Sequence, residues 1–139
     1  MTSKDGSEIW DDYYATISAR RATEAEELWK RMVAAGVSED TVLALDFVHL
    51  ASSSDHAQAL AEQLAENYSI EVVAADEEGY LLIKGTTRPE GVCLSKEQHT
   101  GWVAFMTEVA KSYACVFSNW TLEAPSLGKR FASESVEAE

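Results

Sequence analysis

Residues 41–50 form the most apolar run of the chain and read Thr-Val-Leu-Ala-Leu-Asp-Phe-Val-His-Leu. The run is short for a buried helix, and it contains β-branched and aromatic residues but neither Gly nor Pro. Its only acidic residue is Asp46, so both faces of most of the segment should be covered. The pattern therefore predicts a strand in the middle of a sheet rather than at its edge.

Two amphipathic segments with helical spacing precede this run, at residues 7–19 and 22–35. In the second segment, Thr23 and Glu26 have the spacing of a capping box, and Gly36 is the expected stop. The pattern leaves open whether the two segments form one helix or two. The aromatic stripe of the first segment is expected to pack onto the domain, and contact with a partner is the less favoured alternative.

Helices and strands alternate after the run. Helical spacing predicts helices over residues 52–68 and 95–113, and a capping box at Ser95 begins the second of them. Apolar segments with the spacing or length of strands lie between and after these helices, at residues 69–75, 80–84 and 115–122.

The order of these elements, β-α-β-β-α-β after a helical start, predicts an α+β fold. Two interleaved βαβ units give the ferredoxin-like split βαβ arrangement, an antiparallel sheet in the order 4-1-3-2 with both helices on one face. The first strand is central in that order, in agreement with the composition of residues 41–50. We expect a helical extension over residues 1–38, the ferredoxin-like domain over 39–125 and a flexible acidic tail over 126–139.

The chain is strongly acidic, with 24 Asp and Glu residues against 11 Lys and Arg and a net charge of −13 over 139 residues. Such a surface repels phosphates, so we expect no direct binding of nucleic acid, and a basic protein or peptide fits better as a partner. The alternative is that the charge serves solubility alone. The chain shows neither a signal-peptide pattern nor a membrane span, and Cys93 and Cys115 fit neither a disulfide framework nor a zinc spacing. A cytoplasmic location is therefore expected.

The motifs indicate no catalytic, cofactor or metal site. Ser54, Asp55 and His56 contain the letters of a hydrolase triad, but triad members converge from separate parts of a fold, so capping of a helix is the favoured interpretation. Neither His49 nor His99 has a metal-ligand spacing with another residue. The sequence therefore predicts a protein that is not an enzyme and that folds without a cofactor.

Two residues of the predicted sheet are candidates for contact with a protein partner. If Leu45 and Phe47 face the helices, alternation places Asp46 on the open face of the sheet. The same alternation, counted from Phe117, places Trp120 on that open face. An exposed Trp beside acidic groups would be a good binding hot spot. The alternative is that the N-terminal aromatic helix covers Trp120.

The chain resembles the regulator of ribonuclease E activity B family over roughly residues 20–124. Like members of that family, it has helical residues before a ferredoxin-like core. Residues 45–49 read Leu-Asp-Phe-Val-His, an apolar first strand with an acidic residue followed by His. Residues 117–121 read Phe-Ser-Asn-Trp-Thr where the family tends to have Tyr-Asp-Gly-Trp-Gly, so the aromatic residue and Trp120 are kept.

The resemblance implies a non-enzymatic regulator that inhibits ribonuclease E by protein contact. The implied partner is the nuclease or its basic, largely disordered C-terminal half. In such a complex, acidic side chains would speed the encounter and Trp120 would set its lifetime. The acidic candidates are Asp11, Asp12, Glu24, Glu26, Glu27 and Asp46. Two alternatives stay open, an immunity-type partner that neutralises a basic toxin or nuclease, and a ligand-sensing domain. The oligomeric state is left open.

Overall fold

The computed structural model describes residues 6–88 and 90–135. Its long elements alternate between helices and strands after an initial helix, so the α+β class is confirmed. In chain order they are α1 (Gly6–Ala34), β1 (Ala44–Ala51), α2 (Ser54–Leu64), β2 (Ser69–Ala74), β3 (Leu81–Thr86), α3 (Lys96–Ser112), β4 (Val116–Ala124) and β5 (Lys129–Ala132).

The five strands form one antiparallel sheet in the order β2-β3-β1-β4-β5. β1 pairs with β3 on one side and with β4 on the other, so the predicted central position of the apolar run is confirmed. The order differs from the predicted four-stranded order 4-1-3-2, because β5 pairs with β4 and takes the edge position.

β5 also corrects the predicted tail. Gly128 turns the chain with φ 62°, and Phe131 then pairs opposite Leu122 with only 9% of its surface exposed. The prediction of a flexible tail is therefore wrong for residues 126–135, while residues 136–139 lie outside the described part. The segment Lys-Arg-Phe-Ala has a single large apolar residue, which is too weak a pattern to indicate a strand.

The two N-terminal helical segments are one helix of 29 residues. Thr23 lies inside it, and its hydroxyl donates to the carbonyl of Ala19 at 3.1 Å, so the predicted capping box at Thr23 is wrong. The helix ends before Gly36, whose φ of 105° confirms the predicted stop. The capping box at Ser95 is also confirmed, with reciprocal bonds between Ser95 and Gln98 of 2.9 and 3.2 Å.

All three helices lie on one side of the sheet. Along β1, Leu45 and Phe47 are buried, and Phe47 contacts Trp102 of α3. The buried face of α2 joins the same core. α1 packs against α3, and two of its side chains reach the backbone of β4 and of Cys115, the residue just before it. The Tyr14 hydroxyl donates to the carbonyl of Cys115 at 2.7 Å, and Arg21 Nε donates to that of Phe117 at 2.8 Å. The other face of the sheet is left open, with Asp46 on it as predicted. The expectation that both faces of residues 41–50 are covered is therefore wrong for the face that carries Asp46 and Val48, which are only partly buried.

A β-bulge in β4 overturns the predicted position of Trp120. Val48 pairs opposite Asn119 while His49 pairs opposite Phe117, so Ser118 is an extra residue. The extra residue shifts the alternation by one position, so Phe117 and Trp120 both point towards the helices, while Asn119 between them lines the open face. Trp120 is fully buried, and its ring stacks on that of Phe117 at 5.3 Å.

The cover over Trp120 comes from α3 rather than from the aromatic start of α1. Its indole Nε1 donates to His99 Nε2 at 3.1 Å, and its ring lies 6.4 Å from that of Trp102. A Trp enclosed in this way cannot be the exposed binding anchor that alternation predicted.

Candidate protein-binding surfaces

The middle of the open face is a groove of about 510 Å³ that contains Asp46. We call it the polar groove. The charged and polar side chains that line it are Asp46, Ser69, Glu71, Lys84, Thr86, Asn119, Thr121, Arg130 and Glu134. Register explains this set, because Asp46 pairs opposite Thr86 on β3 and Thr121 on β4, and residues opposite each other share a face.

Asp46 is held in a network rather than standing alone. The Thr86 hydroxyl and the Arg88 guanidinium both donate to its carboxylate, with Arg88 Nη2 at 3.2 Å. The same guanidinium nitrogen donates to Glu123 at 2.9 Å. Hydrogen bonds to Asp46 and Glu123 raise the pKa of Arg88. These side chains are about 40% exposed, so each pair contributes ~0–1 kcal/mol to stability.

The polar groove does not concentrate negative charge. Four acidic side chains, Asp46, Glu71, Glu123 and Glu134, lie in or beside it together with the three basic side chains Lys84, Arg88 and Arg130. It therefore offers balanced polar contacts rather than an attractive field for a basic partner.

The acidic candidates of α1 lie elsewhere. α1 packs on α3, across the sheet from Asp46, so the structure does not bring Asp46 and these residues together. Glu24 is 13% exposed and bonded to Arg21 at 2.7 Å, and Glu27 pairs with Lys30 at 3.3 Å. Glu26, the residue before Glu27, is exposed. The remaining pair, Asp11 and Asp12, is exposed near the start of the helix.

A second groove, of about 570 Å³, lies where the start of α1 meets the end of the sheet. We call it the aromatic groove and define it by its large side chains, which are Ile9, Trp10, Tyr13, Leu50, Tyr80 and Val116. Its aromatic members are well exposed, with 52% of Trp10, 44% of Tyr13 and 36% of Tyr80 accessible to solvent. Exposed apolar patches of this kind mark interaction sites in soluble proteins.

Only part of the N-terminal aromatic stripe therefore belongs to the hydrophobic core. Tyr14 and Ile17 are buried, as packing onto the domain requires, but Ile9, Trp10 and Tyr13 face solvent. Sequence spacing alone groups all five on one broad face. Contacts with distant parts of the chain decide which of them are covered, such as the bond of the Tyr14 hydroxyl to the carbonyl of Cys115.

One carboxylate lines the aromatic groove, and four more are neighbours in the sequence of residues that line it. Glu77 lines it, Asp76 and Glu78 flank Glu77 in the exposed β2–β3 turn, and Asp11 and Asp12 sit beside its aromatic residues on α1. Lys111 of α3 is the nearby cation, 3.8 Å from Asp11. Among the lining residues that the structure describes, all but Glu77 are uncharged.

Side chains that could ligate a metal ion do not converge in the described residues. No three His, Cys, Asp or Glu side chains in residues 6–88 and 90–135 are placed to hold a metal ion. Burial raises the pKa of the Cys115 thiol to about 11, which keeps it protonated at neutral pH, and Cys93 is exposed. Ser53 rather than Ser54 caps α2, by accepting from the backbone N–H of His56.

Comparison with known proteins adds no assignment to this geometry. No protein-family model matches the chain, and no curated protein was found to match it. Within the described residues, no helix combines the length and the apolar character that crossing a membrane demands. Regulation of ribonuclease E therefore stays a proposal that rests on the resemblance of residues 45–49 and 117–121.

Proposed function

We propose that this chain is a non-enzymatic regulator that binds a basic segment of a protein partner. The observation that carries the proposal is the aromatic groove, an exposed apolar surface bordered by carboxylates on a chain of net charge −13. Aromatic anchors supply binding energy, and the surrounding charge selects and attracts a basic partner.

Ribonuclease E is the first target to test, because the resemblance implies it and because its C-terminal half is, by that resemblance, basic and largely disordered. The architecture is compatible with that family. We propose that β1 to β4 with α2 and α3 form a ferredoxin-like core, with α1 and β5 as additions at its ends. An immunity-type partner of a basic toxin would use the same charge, so the identity of the target separates the two functions.

The test is titration of the purified basic C-terminal half of ribonuclease E against this protein at increasing salt concentrations. Steered association between opposite charges falls steeply with ionic strength, since charges are screened beyond ~8 Å at physiological salt. We expect binding at low salt and an association rate that falls about tenfold or more as salt rises. Cleavage of an RNA substrate by the nuclease should slow when the protein is added.

The control is the same nuclease segment with its Lys and Arg residues replaced by Gln, which should bind weakly at every salt concentration. Absence of binding at low salt, or an affinity that does not respond to salt, would rule out ribonuclease E as an electrostatically steered partner. Tight binding without any effect on cleavage would contradict the regulatory function.

A further inference from the structure

The aromatic side chains of the groove are preorganised by contacts with one another. Trp10 stacks on Tyr14 with ring centroids 5.4 Å apart, and Tyr13 meets both rings edge to face. Tyr14 is in turn fixed to β4 through its bond to the carbonyl of Cys115. The exposed rings are therefore positioned by a buried one. Rigid aromatic side chains lose little conformational entropy on binding, which favours their use as anchors.

The chemistry of the groove selects the charge of its occupant. The side chains that line it offer aromatic faces and one carboxylate, and four more carboxylates lie on the same two segments, Asp11, Asp12, Asp76 and Glu78. An arginine can place its guanidinium over an aromatic face and pair with a neighbouring carboxylate at the same time. Anionic occupants, including nucleic acid, are repelled by the same groups.

A second copy of this chain is disfavoured as the occupant. Each copy carries a net charge of −13, and a symmetric contact through this groove would bring the two acidic borders together. Like charges facing each other across an interface oppose association. The polar groove is a weaker candidate for a basic segment, because three basic side chains already balance its carboxylates.

We propose that the aromatic groove, rather than the polar groove around Asp46, is the docking site for an arginine-bearing basic segment of the partner. This inference rests on the proposed function in that it assigns a site to the basic segment. Arginine side chains lie over the rings of Trp10, Tyr13 and Tyr80, and apolar residues between them contact Leu50 and Val116. The Glu77 carboxylate accepts hydrogen bonds from a guanidinium group.

The site is tested with a synthetic peptide of alternating Arg and Leu residues, and with the same peptide carrying Glu in place of Arg. The protein should bind the first peptide and not the second. Trp10→Ala should weaken binding of the Arg peptide by about tenfold or more, mainly through faster dissociation, because anchors determine the off-rate. In an NMR titration the indole N–H signal of Trp10 should shift with the bound fraction.

Phe105→Ala is the matched control, because Phe105 is an aromatic residue of α3 that is 55% exposed and lies outside the groove. It should change binding by less than about twofold. A matched pair of charge variants compares Glu77→Gln, which should weaken binding, with Asp46→Asn, which should not. Glu77 is exposed, so Glu77→Gln should alter stability by about 0.5 kcal/mol or less. Asp46 is partly exposed and pairs with Arg88, so Asp46→Asn should cost about 1 kcal/mol or less.

Equal affinity for the two peptides, or Trp10→Ala binding as tightly as the parent protein, would overturn the docking site. So would greater sensitivity to Asp46→Asn than to Glu77→Gln. A dimer in light scattering that is lost in Trp10→Ala would show that a second copy occupies the groove and would also overturn the proposal. Failure to bind the ribonuclease E segment while the Arg peptide binds would refute the proposed target and leave the site standing.

Discussion

Trp120→Ala is expected to lower the free energy of unfolding by about 3–5 kcal/mol, the range for truncating a buried aromatic residue. The indole is fully buried and stacked on Phe117, and its removal leaves a cavity between β4 and α3. The substitution also removes the Nε1–H donor to His99, so a buried acceptor loses its partner. Urea denaturation of the two proteins under identical conditions measures the difference, provided that the slope of the transition is unchanged.

Two further variants separate packing from hydrogen bonding. Trp120→Phe keeps much of the aromatic side chain and removes the N–H donor. It should therefore lower the free energy of unfolding by less than Trp120→Ala does. Phe105→Ala truncates an aromatic residue that is 55% exposed and should cost about 1 kcal/mol or less. A loss below about 1 kcal/mol for Trp120→Ala would place the indole at the surface and contradict the buried position.

Trp120 also shows that alternation along a strand does not predict which face a side chain lies on when the strand contains a bulge. Counting from Phe117 placed Trp120 on the open face, and one extra residue at Ser118 moved it into the core. A bulge depends on pairing with a neighbouring strand, so it leaves only a weak trace in the sequence, here the small polar pair Ser118 and Asn119 inside an apolar strand. The prediction for Asp46 is confirmed, because the pairing of β1 is regular from Leu45 to Phe47 and the side chains there alternate between the two faces.

Long periodic segments were predictable, and short or angle-dependent features were not. The spacing in α3 and the apolar run of β1 extend far enough to identify each element, but not every side chain of its buried face, since Phe105 of α3 is 55% exposed. β5 has four residues and one large apolar side chain, so its own sequence does not predict a strand. It forms because β4 lies beside it and offers a strand to pair with. The aromatic groove joins Trp10, Tyr13 and Tyr80 from distant parts of the chain, and no local pattern reports that they meet.

We expect the buried histidines to make the fold sensitive to acid. His49 and His99 are both fully buried on the helix side of the sheet. Burial lowers the pKa of His49 to about 3 and that of His99 to about 4. Both side chains are therefore neutral in the native state throughout the mildly acidic range. In the unfolded chain they titrate near pH ~6.5, the ordinary value for His.

The direction of the effect follows from this difference. Above about pH 6.5 neither state binds a proton at these groups, and stability does not depend on them. As the pH falls below that value, the unfolded chain takes up protons that the native state does not, so stability is lost until the pH reaches the native pKa values. At pH ~5, about 1.5 units below the unfolded pKa, each histidine should cost about 2 kcal/mol.

His49→Leu should remove about half of that pH dependence and leave the protein at least as stable at neutral pH. Neither ring nitrogen of His49 has a hydrogen-bond partner among the described residues, and its ring lies against Phe47 and Phe117 at 5.6 and 5.0 Å. Replacing an unpaired buried polar group by an apolar one removes a penalty of about 1–3 kcal/mol, offset in part by imperfect packing of the leucine. His99→Leu serves as the contrast, because it deprives the Trp120 indole N–H of its acceptor and should destabilise at every pH.

Urea denaturation of the parent protein, His49→Leu and His99→Leu at pH ~7, ~6 and ~5 provides the measurement. Carboxylates titrate in all three proteins, so the difference between the parent and His49→Leu isolates the contribution of one histidine. A parent protein that is equally stable at pH ~7 and ~5 would mean that the two histidines gain protons in the native state and are not enclosed as described. An undiminished pH dependence in His49→Leu would assign the acid sensitivity to other groups, whereas a reduced dependence with unchanged neutral stability identifies His49 as a buried, neutral and unpaired side chain of the core.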